Sequence, residues 1–160
     1  MRDEGKLAIV PNIFDATFQY DDEDPEGYRG GVARVGAEAG GTEQSVKLYE
    51  LPPGQVLCPY HYEYVEEWLL MVEGALILRT PNGERPLARG ELVCFPPGPA
   101  GGHKLWTAGD QTARFLMWSS SREPSVAVYP DGDKVGVWAG EQQYMFRGAD
   151  GHLQYYDGEV

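Results

Sequence analysis

The chain has 160 residues, 42% of them hydrophobic and 24% charged, a length that fits one domain able to bury a core without disulfide staples. Its formal net charge of -12 repels phosphate backbones and anionic bilayers, which excludes nucleic acid and membranes as partners. The plainest role of that charge is solubility.

The 21 glycines and 12 prolines are spread along the chain, as turn punctuation between many short strands would be. Two cysteines, Cys58 and Cys94, fall in apolar strand-like stretches. They make no disulfide framework and are expected as buried free thiols. The opening Met1-Arg2-Asp3-Glu4-Gly5-Lys6 lacks the apolar run of a signal peptide. No stretch reaches a membrane-spanning length. A cytoplasmic protein is expected.

Residues 1–30 read as an irregular arm. Its acidic run Asp21-Asp22-Glu23-Asp24 before Pro25 suits a solvated loop more than a cation site, while Phe14, Phe18 and Tyr20 can pack the arm onto a body. A strand at Gly31–Val35 leads to a turn at Gly40-Gly41. Ser45–Leu51 alternates apolar and polar, as a half-buried strand does. Pro52-Pro53-Gly54 breaks it, and Gln55–Cys58 starts another strand. The apolar run Trp68–Val72 ends at Gly74, and Ala75–Thr80 follows. Asn82-Gly83 then marks a hairpin. Further strands are expected at Glu91–Phe95, Lys104–Thr107, Ala113–Ser119, Val126–Tyr129 and Val135–Trp138. No amphipathic helix of three turns is evident. The pattern is all-β, a sandwich or barrel, with no repeat or linker to split the chain.

Two segments carry chemistry. In Tyr60-His61-Tyr62-Glu63-Tyr64-Val65-Glu66-Glu67-Trp68, His61 and Glu63 share a strand face. A tight turn could bring Glu67 to the same point from the next strand, where a metal could sit inside a barrel. A histidine beside carboxylates is otherwise an ordinary hydrogen-bonded or surface residue. The second segment, Gly90-Glu91-Leu92-Val93-Cys94-Phe95-Pro96-Pro97-Gly98-Pro99-Ala100-Gly101-Gly102-His103, is a strand and a rigid Pro/Gly loop that aims His103 at the start of a new strand.

Together these segments resemble the paired motifs of the cupin superfamily. Gly54, His61, Glu63, Glu67 and Gly74 follow the order of the first motif; Gly90, Pro96-Pro97-Gly98, His103 and Thr107 follow the second. The resemblance implies a double-stranded β-helix, or jelly-roll, barrel, a single domain over 1–160 with its motif core at about 43–120 and a C-terminal tail over 121–160. It implies His61, Glu67 and His103 as metal ligands. The chain departs from the pattern at three places. Glu63 stands where a second histidine is usual, the loop before His103 is two residues longer, and Thr107 replaces asparagine. Glu63 is read as a fourth ligand, a hydrogen-bonding neighbour of the ligands or a catalytic general base. Nitrogen and oxygen donors suit a divalent transition metal: Fe, Mn, Ni, Co or Zn. A metal-free barrel that binds a small molecule stays open.

Tyr62, Tyr64 and Trp68 have the parity of the outer face and could line a homodimer interface, as cupins commonly pair through such faces. Cys58 and Cys94 could approach across neighbouring strands, with core packing favoured over thiol ligation. His152 is expected on the surface. The layout also resembles small single-domain cupins, some carrying a provisional sugar-phosphate isomerase label. That implies a small-molecule ligand and metal-assisted isomerisation with Glu63 moving the proton. Arg79, Lys104 and Arg114 are the candidates for holding a phosphate. His61, Glu67 and the run Glu66-Glu67-Trp68 are similar to 3-hydroxyanthranilate dioxygenases, which implies a non-haem iron dioxygenase as the alternative enzyme. A non-enzymatic binding barrel is the third expectation, because one fold serves many purposes.

Overall fold

The computed structural model describes residues 9–148 and 152–159; the charged opening Met1 to Lys6 lies outside them. In chain order the strands are β1 (Gly31–Ala33), β2 (Gln44–Leu51), β3 (Tyr62–Glu63), β4 (Glu67–Glu73), β5 (Ala75–Thr80), β6 (Gly83–Ala88), β7 (Leu92–Phe95), β8 (Lys104–Thr107), β9 (Ala113–Ser120), β10 (Ser125–Tyr129), β11 (Lys134–Ala139) and β12 (Gln142–Arg147). Every pairing between them is antiparallel. They form sheets ordered β1-β2-β9-β4-β7, β12-β11-β10-β3 and β6-β5-β8. This is the all-β, double-stranded β-helix architecture expected.

Register decides what the barrel interior holds. Across β2, β9, β4 and β7 the inward residues fall into rows: Ser45, Ser119, Glu67 and Phe95; then Lys47, Met117, Leu69 and Val93; then Tyr49, Phe115 and Met71. Polarity therefore falls along each strand. At one end Leu51, Leu69, Met71, Ala113 and Phe115 pack against Leu76, Leu78, Leu87 and Leu105 of the β6-β5-β8 sheet and are buried. Side chains of the opposed sheets interdigitate there as in any close-packed interior. At the other end the rows are polar and leave a cavity.

The alternation of β2 thus runs opposite to the usual arrangement in which the polar face meets solvent. Its outward residue Leu48 is fully buried, under Ile13, Ala16, Phe18 and a helix α1 (Val35–Glu38). Phe18 packs as expected. Phe14 does not: it is exposed, and Tyr20 is half exposed, held by a hydrogen bond from its hydroxyl to Glu50 at 2.6 Å. The acidic run Asp21–Asp24 forms a largely exposed turn.

Other departures have local causes. Val35 turns into α1 instead of extending β1. Gln55–Cys58 makes a lone bridge, Val56 to Trp106, and no ladder. Cys94 is exposed, because it pairs with Trp68 on the outer face; only Cys58 turns toward the interior, half-buried. Thr107 does not reach the cavity. Its hydroxyl donates to the Pro52 carbonyl at 2.8 Å and accepts from the Gln55 amide at 3.2 Å, clamping the turn after β2. His152 is exposed.

Candidate metal centre

The two motif segments meet through their histidines: His61 and His103 form an antiparallel bridge. From there both imidazoles point inward, with ring centroids 4.7 Å apart. The Nδ1 of His61 donates to the Pro59 carbonyl at 3.0 Å, and that of His103 to the Gly101 carbonyl at 2.9 Å. A backbone carbonyl only accepts, so each Nδ1 carries the proton and each Nε2 keeps a lone pair.

Glu67, the first residue of β4, faces them. Its Oε2 lies 3.8 Å from His103 Nε2, too far for a hydrogen bond. His103 Nε2 is buried and has no hydrogen-bond partner among the described residues. An orphaned buried acceptor is costly unless something else satisfies it. One ligand atom from each of His61, Glu67 and His103 lies within 4.8 Å of the others, and among the described residues this is the group of side chains able to hold a metal. Donors at about 2.1 Å from a common ion stand about 3 to 4 Å apart, so the three side chains would close on a divalent cation by small rotamer shifts, and the donor set of two imidazoles and a carboxylate suits one.

The loop lengthened by two residues serves His103. Gly98 has φ of 82°, and a 3-10 turn follows at Pro99–Gly101. A Cβ on Gly101 would overlap the Pro96 carbonyl oxygen, and one on Gly102 would overlap the Tyr60 hydroxyl. Only glycine lets the loop fold this tightly, and the carbonyl of Gly101 is the one that orients His103. On the other side Phe95 lies flat against the His103 ring, centroids 3.8 Å apart.

The electrostatics follow from burial. Desolvation, then the Glu63 charge, raises the Glu67 carboxyl to about 8, with Lys47 opposing. Desolvation, then the neighbouring His61, lowers His103 to about 4. Desolvation lowers His61 and raises Glu63. The histidines are therefore neutral donors near pH 7, and the carboxyl needs a cation to hold its charge.

Glu63 is not in the three-residue group but lines the same cavity, of about 250 Å³, with Ser45, Lys47, Tyr49 and Ser119. Tyr129 completes the rim and lies ring on ring with His61 at 5.6 Å. Burial pushes its phenol up to about 12, so it stays protonated. The earlier phosphate candidates lie elsewhere. Arg79 makes a bidentate pair with Asp131, at 2.5 and 3.1 Å, and Arg114 pairs with Glu50 and Glu73. Lys104 and Arg79 line a separate surface pocket. The cation that faces the cavity is Lys47, which sequence reasoning did not single out. Its signal was the spacing Ser45, Lys47, Tyr49, whose shared parity marks one face of β2.

Residues 47–119 match the family model for the Cupin domain. The chain resembles a solved structure from Acidithiobacillus ferrooxidans provisionally named a sugar phosphate isomerase, with TM-score 0.77 and 22% identity over 88% of this chain and 89% of that one. It also resembles a protein from Silicibacter pomeroyi DSS-3 named as a sugar phosphate isomerase from a cupin superfamily, with TM-score 0.76 and 25% identity over 90% of this chain and 96% of that one. A polyketide cyclase from Streptomyces resistomycificus matches with TM-score 0.60 and 20% identity, over 71% of this chain and 80% of that one. No curated protein matches.

Proposed function

We propose that the chain, whose residues 47–119 match the Cupin domain model, is a small cupin-domain protein that binds a divalent transition metal through His61, Glu67 and His103 and isomerises a small hydroxycarbonyl compound. The observation that carries this is the orphaned, buried Nε2 of His103 converging with Glu67 and His61. The two neighbours named as sugar phosphate isomerases support the reaction class.

A divalent cation held there would supply Lewis-acid polarisation of a carbonyl oxygen. The chain's own part is proton transfer and placement. Glu63, with its carboxyl raised by burial, is suited to take the proton from the hydroxyl-bearing carbon and return it to the former carbonyl carbon, while the hydroxyl proton passes to the former carbonyl oxygen. Tyr129 donates a hydrogen bond to a substrate oxygen, and the half-enclosed cavity limits water. Elemental analysis of untagged protein tests the centre: absence of any transition metal refutes it. Glu63→Gln should keep the metal and lose exchange of the carbon-bound proton with D2O. Retained exchange refutes Glu63 as the base, and lost metal makes it a fourth ligand.

Two histidines and a carboxylate are also the donor set of non-haem Fe(II) oxygenases. Dioxygen consumption by the Fe(II) form would favour that reading. Metal binding with neither activity would leave a small-molecule-binding barrel.

Three further readings belong with this one. Residues 1–160 are taken as one domain, since the arm packs on β2 and β10 pairs with β3. A homodimer through the outer face is supported by Trp68 stacked on Trp118 at 6.1 Å beside exposed Leu92. The free thiols Cys58 and Cys94 suit a reducing compartment, and no described helix is long and apolar enough to cross a membrane, so we place the protein in the cytoplasm.

A further inference from the structure

Lys47 is the one basic side chain lining the metal cavity, among the described residues. It sits in the second inward row of β2, opposite Met117 and one row from Glu67. Its ammonium makes no hydrogen bond or ion pair within 4.0 Å among the described residues, although Arg34, Glu63 and Glu67 all act on it through space. A half-buried, unpaired cation is costly to keep, and a simple solubility role does not place one inside a barrel. Of the basic side chains first considered for a phosphate, Arg79 is paired with Asp131, Arg114 with Glu50, and Lys104 lines a separate surface pocket.

The surrounding charges give Lys47 a use. In the metal-free cavity the ammonium of Lys47 faces both Glu63 and Glu67, whose charges act on it through space. A divalent ion balances Glu63 and Glu67, which leaves the ammonium as the uncompensated charge beside an open cavity. A hydrated or desolvated site with one spare positive charge attracts an anion and can fix it by a charge-assisted hydrogen bond. We infer that Lys47 is the specificity-determining residue of this site and that its ligand carries an anionic oxygen group, phosphate or carboxylate, on the hydroxycarbonyl frame. This rests on the metal reading above.

The test uses the Co(II)-loaded protein, in which ligand binding is read from the cobalt absorption bands. The probes are dihydroxyacetone, dihydroxyacetone phosphate and malonate. Wild type should prefer an anionic probe to dihydroxyacetone. Lys47→Met should take up Co(II) at wild-type stoichiometry, bind dihydroxyacetone unchanged, and bind the preferred anion about 10- to 100-fold more weakly, the range of one charged hydrogen bond. Lys47→Arg should recover part of that loss. The anion whose binding depends on Lys47 assigns phosphate or carboxylate as the group. Failure of wild type to take up Co(II) refutes the metal centre itself. Uptake of Co(II) with an anion preference that survives in Lys47→Met refutes the inference alone.

Discussion

Each of His61 and His103 donates its backbone N–H to the other's carbonyl oxygen, at 3.1 and 2.8 Å. The histidines of the two motifs are thus tied to each other by main chain, and their relative placement is built into the barrel.

Side-chain removal should therefore empty the centre without unpairing the strands. His61→Ala and His103→Ala should each lose stoichiometric metal, measured by elemental analysis after dialysis, while the far-ultraviolet circular dichroism of the β-sheets persists. Full metal retention in both variants would show that the ion sits elsewhere.

Metal affinity should follow a carboxyl, not an imidazole. Glu67 is raised to about 8 and His103 lowered to about 4, so above pH 6 the competing proton is the one on Glu67. Apparent affinity should rise about tenfold for each pH unit below 8 and level off above it. Glu67→Gln should bind weakly with little slope. The metal-free protein should show the opposite trend in stability. Folded Glu67 holds a proton that the unfolded carboxyl, at 4.5, has lost, so stability falls as pH rises toward 8. The lowered histidines act in the other sense only below 6.5. Thermal melts between pH 6.5 and 8 therefore read the raised carboxyls, Glu67 with Glu63, apart from the histidines, and Glu67→Gln should reduce the slope.

Gly101→Ala should damage the centre from outside it. The added methyl meets the Pro96 carbonyl and displaces the carbonyl that holds His103 Nδ1. A lost orienting bond of this kind costs about 10- to 100-fold in metal affinity, measurable by competition with a chelator. An unchanged affinity would mean that the loop does not aim the ring.

Thr107→Val should do the reverse. It removes the buried hydroxyl that clamps Pro52 to Gln55, at about 1 to 3 kcal/mol in denaturant melts. Metal stoichiometry should be unaffected, because Thr107 has no place in the cavity.

Sedimentation should read the outer face. If the stacked Trp68 and Trp118 are covered by a second copy, the double change Trp68→Ser with Leu92→Asp should yield monomers that still bind metal. A monomeric wild type would dismiss the interface.

The sequence carried most strands because β8, β9 and β10 have tight turn residues on both sides and apolar runs between. It missed β12, whose residues Gln142–Arg147 are all exposed and hence lack any alternation in burial. It missed β3, since Tyr62–Glu63 is a strand only by pairing with Ala127 and Val128. That His61 and His103 would meet was legible through the motif spacing and the flanking Pro/Gly. Lys47 was not, because alternation in β2 reveals two faces without saying which is inside. The covering arm decided that, and its packing on Leu48 is a long-range property. Phe95 was hidden for a similar reason: β7 reads as uniformly apolar, yet Leu92 and Cys94 face out and Phe95 stacks on a ligand.

The rows inside the barrel place folding and chemistry at opposite ends of the same strands. Leu51, Met71 and Phe115 hold the sheets together at one end, while Ser45, Lys47, Glu67 and Ser119 touch whatever enters at the other. Mutational drift at the polar end can change what the cavity holds while the apolar plug keeps the molecule folded. Descendants of such a chain would diverge in what they do long before they diverge in shape, and a laboratory library confined to those four positions would explore new reactions on a scaffold that does not need to be rebuilt.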